Sequence, residues 1–267
     1  MMQMKSIVTS LLLLPLTAHL AVAASCSNNG DGFTAFKAQF ADYAIQNGVG
    51  KRGLEALAAT DYSPAVIKFD RIQRQAFKKD FDAFYKLRTT GLAKPSQARL
   101  AKYAAIFAQA ERDFGVPKEI IVTIWGMETA FGKFTGDHDV ITSLASLTHD
   151  CRRSDFFRPH LLGALQIIDN GWLARQQLRG ARHGEIGQTQ FLAGNYVTFA
   201  VDYDGDGRRD LVNSIPDLIA STANFLKGHG WQAGGSYQPG SHNYDVLKHW
   251  NAASIYQQAI ARFAASL

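Results

Sequence analysis

The carboxyl of Glu128 is the side chain in this sequence with the clearest chemical potential. It lies in an almost wholly apolar segment, residues 120–132, that follows Pro117 and ends in glycine. Proline in the first turn and glycine at the end are typical of a short helix. Ile121, Ile124 and Glu128 are spaced at i, i+3 and i+7, so the carboxyl shares a helix face with apolar side chains.

Burial of the Glu128 carboxyl would favour its protonated form, because removing a carboxylate from water raises its pKa. A carboxylic acid that keeps its proton near neutral pH can donate that proton to a glycosidic oxygen. The alternative is a structural glutamate that holds a neighbouring backbone group or an arginine, since buried ion pairs also perturb carboxylates. Periodicity alone leaves both interpretations open.

A second group of carboxylates occupies residues 202–213 and follows the spacing of an EF-hand loop, with Gly207 at the tight turn. Carboxylates this close repel one another unless a cation neutralises them. The last position holds an amide in place of the usual bidentate glutamate, which predicts weak Ca²⁺ binding. The predicted ligands are Asp202, Asp204, Asp206, the Arg208 carbonyl, Asp210 and Asn213. The alternative is a metal-free turn whose charge is balanced by neighbouring arginines.

The N-terminus has the features of a secretory signal peptide. Lys5 precedes an apolar stretch over residues 7–20, and small residues follow at 21–24. We therefore expect residues 1–24 to be removed; an uncleaved anchor or a lipoprotein acylated at Cys26 are the alternatives. An exported chain with two cysteines, Cys26 and Cys151, is expected to form one disulfide between them.

Composition predicts one sizeable globular core, because 46% of the 267 residues are hydrophobic. After the N-terminal segment, no stretch is long and apolar enough to cross a bilayer. The formal net charge is +5, and a mildly basic exported protein suits an anionic polymer. The positive charge is spread along the chain, so nucleic acid is not an expected partner.

Helical periodicity dominates the elements that must position these side chains. Predicted helices end near Gly48, Gly115, Gly171 and Gly228, and one more lies at the C-terminus. Their apolar stripes are Phe33/Phe36/Phe40/Tyr43, Leu100/Tyr103/Phe107/Phe114, Leu161/Leu165/Ile168, Leu218/Thr222/Phe225 and Ile255/Ala259/Ile260/Phe263. Glycines predict loops over residues 180–190 and 234–243. No alternating strand is predicted, and residues 191–203 are ambiguous.

Residues 125–132 resemble the catalytic-glutamate motif of the bacterial lytic murein transglycosylases of the B type, in the lysozyme-like superfamily. Further segments resemble motifs of that family in the same order: residues 114–117, 144–147, 152–157, 184–191, 202–210 and 250–256. The resemblance implies an all-α, lysozyme-like helical domain with a substrate cleft and an N-terminal helical extension. We expect this catalytic domain to span residues 25–267, with an N-terminal helical part at 25–97 and a core at 98–267.

The family cleaves the β-1,4 bond between N-acetylmuramic acid and N-acetylglucosamine in peptidoglycan without using water. The muramyl 6-hydroxyl attacks its own anomeric carbon and leaves a 1,6-anhydro ring. Because the substrate supplies the nucleophile, a single carboxyl at Glu128 could act first as acid and then as base. The resemblance thus implies a periplasmic enzyme, expected to be a monomer, that acts on peptidoglycan glycan strands with Ca²⁺ as a structural ion.

The resemblance also implies substrate-binding roles for Gln190, Asn251 and Tyr256. An amide both donates and accepts hydrogen bonds, which suits sugar hydroxyls and N-acetyl groups. The alternatives are a loop-capping amide at Gln190, a helix N-cap at Asn251 and core packing at Tyr256. Phe131 could stack on a sugar or pack in the core.

Glu185 departs from the family's Gly-rich loop, where many relatives carry a small residue. A second carboxylate in the cleft would permit hydrolysis, whereas a solvated loop carboxylate or a salt-bridge partner for an arginine would not. Ala181 replaces a frequent serine and Phe225 a tyrosine of some relatives, so polar contacts made there are absent. The rival functions are a muramidase-like hydrolase on the same fold and a non-catalytic peptidoglycan-binding protein.

Overall fold

The computed structural model describes residues 26–72 and 80–267. The predicted signal peptide, residues 1–24, lies outside the described residues. Within the described ranges, no helix has the length and hydropathy needed to span a membrane.

The first half of the described chain is a series of short helices, and the last three of them pack against the helix that bears Glu128. They are α1 (Phe33–Gln46), α2 (Lys51–Ala58), α3 (Pro64–Ile72), α4 (Phe81–Thr89), α5 (Ala93–Lys102) and α6 (Ala104–Phe114). The stripe around Leu100 and Phe107, predicted as one helix, is divided at Tyr103. The backbone of Tyr103 leaves the helical region at ψ 27°, and its ring packs 6.3 Å from that of Trp125.

The second half contains the helix that bears Glu128 and the helices that follow it. They are α7 (Lys118–Thr129), α8 (Val140–His149), α9 (Ser154–Asp169), α10 (Ala193–Phe199), α11 (Ile215–Gly228), α12 (His242–Trp250) and α13 (Ser254–Ala264). Residues 120–127 of α7 are all buried, with α4, α5, α6, α11 and α13 packed around them. Burial on every side explains why this segment is apolar all round. The predicted helices near residues 33, 161, 218 and 255 are confirmed.

A small antiparallel sheet lies beside the helices, although the sequence predicted no strands. Its order is β1 (His138–Asp139), β2 (Arg179–Gly180), β3 (Glu185–Ile186) and β4 (Phe191–Leu192). Two-residue strands are too short to show an alternating pattern, which is why residues 180–190 were expected to be a loop. At Gly180, an added Cβ would overlap the Glu185 carbonyl oxygen on β3, so this close pairing requires glycine.

The expected disulfide joins Cys26 to Cys151, with the two Cα atoms 4.9 Å apart. Beside it, the Ser27 amide donates to the His149 carbonyl oxygen at 2.8 Å. The N-terminal segment is thereby attached to the end of α8. The boundary expected between residues 97 and 98 lies within α5, and the division of the chain into two parts stays a prediction.

Candidate active site

Glu128 occupies the last turn of α7, where the chain reverses. Ala130, Phe131 and Gly132 follow with φ values of 48°, 65° and 84°, which end the helix in the left-handed region. Most of α7 is enclosed, but Glu128 is only half-buried, because its carboxyl opens onto a cavity. The sequence-predicted face is therefore correct, with the carboxyl at the edge of the core.

Two donors from the C-terminal helices hold the Glu128 carboxyl. The Trp250 indole Nε1 donates to Glu128 Oε1 at 2.9 Å, and the Tyr256 hydroxyl donates to the same oxygen at 2.8 Å. Within residues 26–72 and 80–267, Oε2 has no hydrogen-bond partner. One oxygen is fixed and the other is available to the cavity.

The surroundings of Glu128 act on its pKa in opposite directions. Burial raises the pKa, while the hydrogen bonds from Trp250 and Tyr256 and the charge of Arg88 lower it. Burial is the larger effect, so the pKa lies above that of an ordinary carboxyl. Arg88 acts from behind the site, with its guanidinium 5.2 Å from the centre of the Tyr256 ring.

The cavity has a volume of about 960 Å³ and lies between the sheet and the ends of α7 and α12. Its walls combine acidic, basic, amide and aromatic side chains. Its lining residues include Glu128, Glu185, Gln190, Asn251, Trp250, Phe191, Phe225, Ala181, Lys133, Phe134, Asp137, Arg182 and His183. A cavity of this size, with a few convergent polar groups, is typical of a ligand-binding site.

Glu185 projects from β3 into this cavity and is not a solvated loop carboxylate. Its side chain is 26% exposed, and His183 Nδ1 lies 3.8 Å from its Oε1. Its Oε2 is buried and has no hydrogen-bond partner. Burial is the main cause that raises the pKa of Glu185 to about 7, and the nearby charge of Glu128 adds to it; hydrogen bonds from the backbone of Glu185 and His183 and the charge of Arg153 act in the opposite direction. The cavity therefore contains two carboxyls with raised pKa values.

Gln190 lines the cavity, and its side chain also forms hydrogen bonds with backbone groups of neighbouring loop residues. Its Nε2 donates to the carbonyl oxygens of Gly187 and Thr135 at 2.9 and 3.3 Å. Two carbonyl partners fix the orientation of the amide, because only its nitrogen can donate to both. The loop-capping interpretation is therefore correct for the nitrogen of Gln190, while its oxygen remains an acceptor.

Asn251 and Tyr256 differ in their access to the cavity. Asn251 lines it, and its Oδ1 accepts from the Ala253 amide at 3.0 Å. The N-cap of α13 is Ala253, so Asn251 is not the cap that the sequence allowed. Tyr256 is buried, with 1% of its surface exposed, and reaches the site only through the hydroxyl that contacts Glu128.

Phe131 packs in the core, as the structural alternative predicted. Its positive φ directs the ring back over α7, where it lies 5.5 Å from Trp125 in an edge-on contact and 4.0 Å beneath the Arg99 guanidinium. It does not line the cavity, so we correct the expectation that it could stack on a sugar. Phe225 and Ala181 do line the cavity, as apolar wall.

The acidic loop holds its carboxylates in a different grouping from the one predicted. Ligand atoms of Asp202, Asp204 and Asp217 all lie within 4.8 Å of one another. Asp210 and Asn213 bond each other instead, through Asn213 Nδ2 and Asp210 Oδ2 at 2.9 Å. Asp210 is not in the group of three, and the assignment of Asp210 and Asn213 as the ninth and twelfth ligands stays a prediction.

Asp206 also lies outside this group, and its carboxylate accepts from the Arg208 amide at 2.8 Å. The Arg208 carbonyl oxygen stays a predicted ligand; the Arg208 side chain donates to the Trp172 carbonyl oxygen. The sequence did not indicate Asp217 as a ligand, because Ser214 and Asp217 have the spacing of a capping box at a helix N-terminus. It does lie in the first turn of α11, where burial raises its pKa.

Sequence reasoning also missed three side chains around the cavity. Trp250 was part of a matched motif, and an aromatic N–H donor six residues before Tyr256 was the available signal. His183 and Asp70 gave no signal, because they are far apart in sequence and meet only in the fold. His183 Nε2 lies 3.2 Å from Asp70 Oδ1, and Asp70 also pairs with Arg152 and Arg153.

Known proteins share sequence and fold with this chain. The sequence profile of the family described as Transglycosylase SLT domain matches residues 32–240. Membrane-bound lytic murein transglycosylase B of Escherichia coli K12 is 35% identical over 134 residues, which cover 50% of this chain and 37% of that protein. The aligned part is thus well under two thirds of the relative's length.

Solved structures with a similar fold cover more of the chain. SltB3 from Pseudomonas aeruginosa, in complex with NAG-anhNAM-pentapeptide, has a TM-score of 0.81 and 28% identity, covering 89% of this chain and 80% of that one. The Escherichia coli lytic transglycosylase Slt35, in complex with calcium, has a TM-score of 0.75 and 21% identity, covering 95% and 98%. These likenesses confirm the lysozyme-like helical fold. Since the profile covers most of the sequence, this chain belongs to the transglycosylase SLT domain family.

Proposed function

We propose that this protein is a peptidoglycan lytic transglycosylase in which Glu128 acts as general acid and then as general base. The observation that carries the proposal is the state of the Glu128 carboxyl. Trp250 and Tyr256 hold Oε1, Oε2 is left for the substrate, and burial raises the pKa. These are the requirements for a group that both gives and takes a proton.

The reaction balances with one carboxyl and no water. Glu128 donates its proton to the glycosidic oxygen, the bond from the muramyl C1 to that oxygen breaks, and the glucosaminyl end leaves as an alcohol. The muramyl O6 then bonds to C1, and the proton of the 6-hydroxyl passes to Glu128. The acid is regenerated and the product carries a 1,6-anhydro ring.

Gln190 and Asn251 offer complementary contacts to an N-acetyl sugar. The nitrogen of Gln190 is engaged by backbone carbonyls, so its oxygen would accept from a hydroxyl or an acetamido N–H. The oxygen of Asn251 is engaged by Ala253, so its nitrogen would donate to an acetamido carbonyl. Tyr256 would act through Glu128. The relative SltB3 binds NAG-anhNAM-pentapeptide, which supports this substrate class.

Mass spectrometry of fragments released from purified peptidoglycan tests the proposal. The expected products are about 18 Da lighter than hydrolysed muropeptides, because one water is not added. Glu128→Gln should release none, whereas Glu119→Gln, the same change on the first turn of α7 and away from the cavity, should behave as wild type. Equal release by both variants would contradict the assignment of Glu128.

A hydrolase is the second candidate, because Glu185 places another carboxyl in the same cavity. It would activate a water in place of the internal hydroxyl. Reducing muramyl ends in the released fragments would establish this mechanism. Binding to sacculi without any soluble product would instead indicate a non-catalytic peptidoglycan-binding protein.

We also propose that Asp202, Asp204 and Asp217 hold a structural Ca²⁺. Their oxygens converge, and hard carboxylate oxygens are the donors that Ca²⁺ prefers. The ion would neutralise the three charges and tie the loop to α11. Calcium should therefore raise the melting temperature of wild type and not of Asp202→Asn. Asp206→Asn changes an acid outside the group of Asp202, Asp204 and Asp217, so calcium should still raise its melting temperature. An equal rise in the wild type and both variants would exclude this site.

Export to the periplasm by the N-terminal segment, and action there as a monomer on glycan strands, complete the proposal. The disulfide between Cys26 and Cys151 supports an oxidising compartment. Fractionation of cells should recover the protein in the periplasm, with an N-terminus near residue 25. Recovery of the unprocessed chain from membranes would contradict it.

A further inference from the structure

Glu128 and Glu185 line one cavity, and burial raises the pKa of both carboxyls. The oxygen Oε1 of Glu128 accepts two side-chain hydrogen bonds, which favour the ionised form. The oxygen Oε2 of Glu185 is buried without a partner, which favours the neutral form, and hydrogen bonds from the backbone of Glu185 and His183 only partly oppose this. Glu185 is therefore a second proton-holding group on the β3 side of the cavity.

A charged network behind β3 holds the second carboxyl. Asp70, which is buried, pairs with Arg152 and Arg153 and lies 3.2 Å from His183 Nε2, although not at a hydrogen-bond angle. Burial and the two arginines lower the pKa of His183 to about 4, so the imidazole is neutral near pH 7. The carboxylate of Asp70 favours the tautomer with its proton on Nε2.

That tautomer presents His183 Nδ1 to Glu185 as an acceptor. The separation from Glu185 Oε1 is 3.8 Å, which a small side-chain movement or one bridging water would close. A protonated Glu185 can donate to this nitrogen, whereas an ionised Glu185 cannot. The network thus holds Glu185 in the state that carries a proton.

We propose that Glu128 and Glu185 are coupled through the cavity that both line, so that the two carboxyls together retain one proton as the pH rises through neutrality, with His183 and Asp70 as positioning residues. The proposal rests on the function proposed for Glu128. Loss of the first proton leaves a negative charge in the cavity, so the second proton must leave against that charge. Glu185 thereby extends to higher pH the range in which a proton is available to Glu128.

Other charged groups face the pair and are present in every variant compared below. The cavity wall carries exposed or half-buried ones, and the arginines of the network and Arg88 lie behind the two carboxyls. These groups are Lys133, Asp137, His138, Arg182, His249, Arg88, Arg152, Arg153 and Asp150. Because these charges are the same in every variant of the pair, the informative comparison is the direction in which the pH dependence of the rate changes.

The first test is the pH profile of the initial rate of fragment release at low substrate concentration. In Glu185→Gln, the fall of the rate at alkaline pH (the alkaline limb) should move to lower pH by about one unit. This is the size of interaction at which two ionisable groups titrate as a coupled pair. His183→Phe, which keeps a ring and removes the acceptor, should move the limb in the same direction by less. Asp137→Asn removes an exposed carboxylate from the same cavity and should leave the limb in place. An unmoved limb in Glu185→Gln would overturn the proposal.

The second test does not depend on activity. Titration of ¹³C-labelled glutamate carboxyls by NMR should show the last proton leaving the wild-type pair at higher pH than it leaves the remaining carboxyl of Glu128→Gln or Glu185→Gln. Equal titration in the wild type and both variants would refute the pair. If the wild type releases no fragments at any pH, the proposed function fails, while the titration still decides whether the carboxyls are coupled. If Glu185→Gln does not fold, Glu128→Gln gives the same comparison.

Discussion

Glu185→Gln should stabilise the protein at alkaline pH and leave its stability nearly unchanged in acid. Burial raises the pKa of Glu185 from 4.5 to about 7. Between these values the folded protein holds a proton that the unfolded chain has already lost. The stability from this proton is complete below pH 4.5 and is lost as the pH rises through 7. Glutamine is neutral throughout, so the variant lacks this loss.

The size of the effect follows from the same pKa. A change from 4.5 to about 7 corresponds to about 3 kcal/mol in the free energy of unfolding. The side chain is 26% exposed, so water screens part of its charge. We therefore expect the free energy of unfolding of Glu185→Gln to be about 1–3 kcal/mol higher than that of the wild type at pH 8, and much closer to it at pH 4.

Urea unfolding of both proteins at pH 4 and pH 8 measures this difference, because ionisable groups common to both largely cancel. Asp137→Asn serves as the control. Its exposed carboxylate stays in water in both states, so its removal should change the free energy of unfolding little at either pH. A difference between Glu185→Gln and wild type that does not change with pH would refute the reasoning.

Three further predictions concern the supports of the site. Tyr256→Phe removes a donor that lowers the pKa of Glu128, so the alkaline limb of activity should move to higher pH; movement to lower pH would contradict the hydrogen-bond account. Replacing Cys26 and Cys151 by serine removes a disulfide between positions 125 residues apart and should lower the free energy of unfolding, measured in urea, by about 2–4 kcal/mol. A change near zero would contradict a stabilising role for the disulfide. Gly180→Ala places a methyl group against β3 and should lower the melting temperature and the rate together; an unchanged protein would mean that the strand can shift.

The sequence allowed the centre of the site to be predicted because local rules determine it. The spacing around Glu128 identifies a helix face, and an even number of cysteines in an exported chain identifies a disulfide. Both predictions depend on residues close in sequence or on simple counting. The helices near residues 33, 161, 218 and 255 follow from periodicity for the same reason.

The features that escaped prediction depend on contacts between distant segments. Asp70 and His183 are brought together by the packing of α3 against the region of the sheet, and nothing in either local sequence indicates it. Asp217 occupies a position that a helix cap would also fill, so its convergence with Asp202 is invisible before folding. At the break in the predicted helical stripe, Tyr103 contacts Trp125 of α7, a contact that the local sequence does not indicate.

The hydrogen bonds from Trp250 and Tyr256 also determine when the site comes into existence. Their donors lie 122 and 128 residues after Glu128. A chain that emerges from its N-terminus, from a ribosome or through a translocation channel, exposes the acidic residue long before either donor. Any species shortened before residue 250 contains the carboxyl without the partners that orient it. The proposed catalytic centre is therefore completed only when the segment that contains Trp250 and Tyr256 has folded against α7.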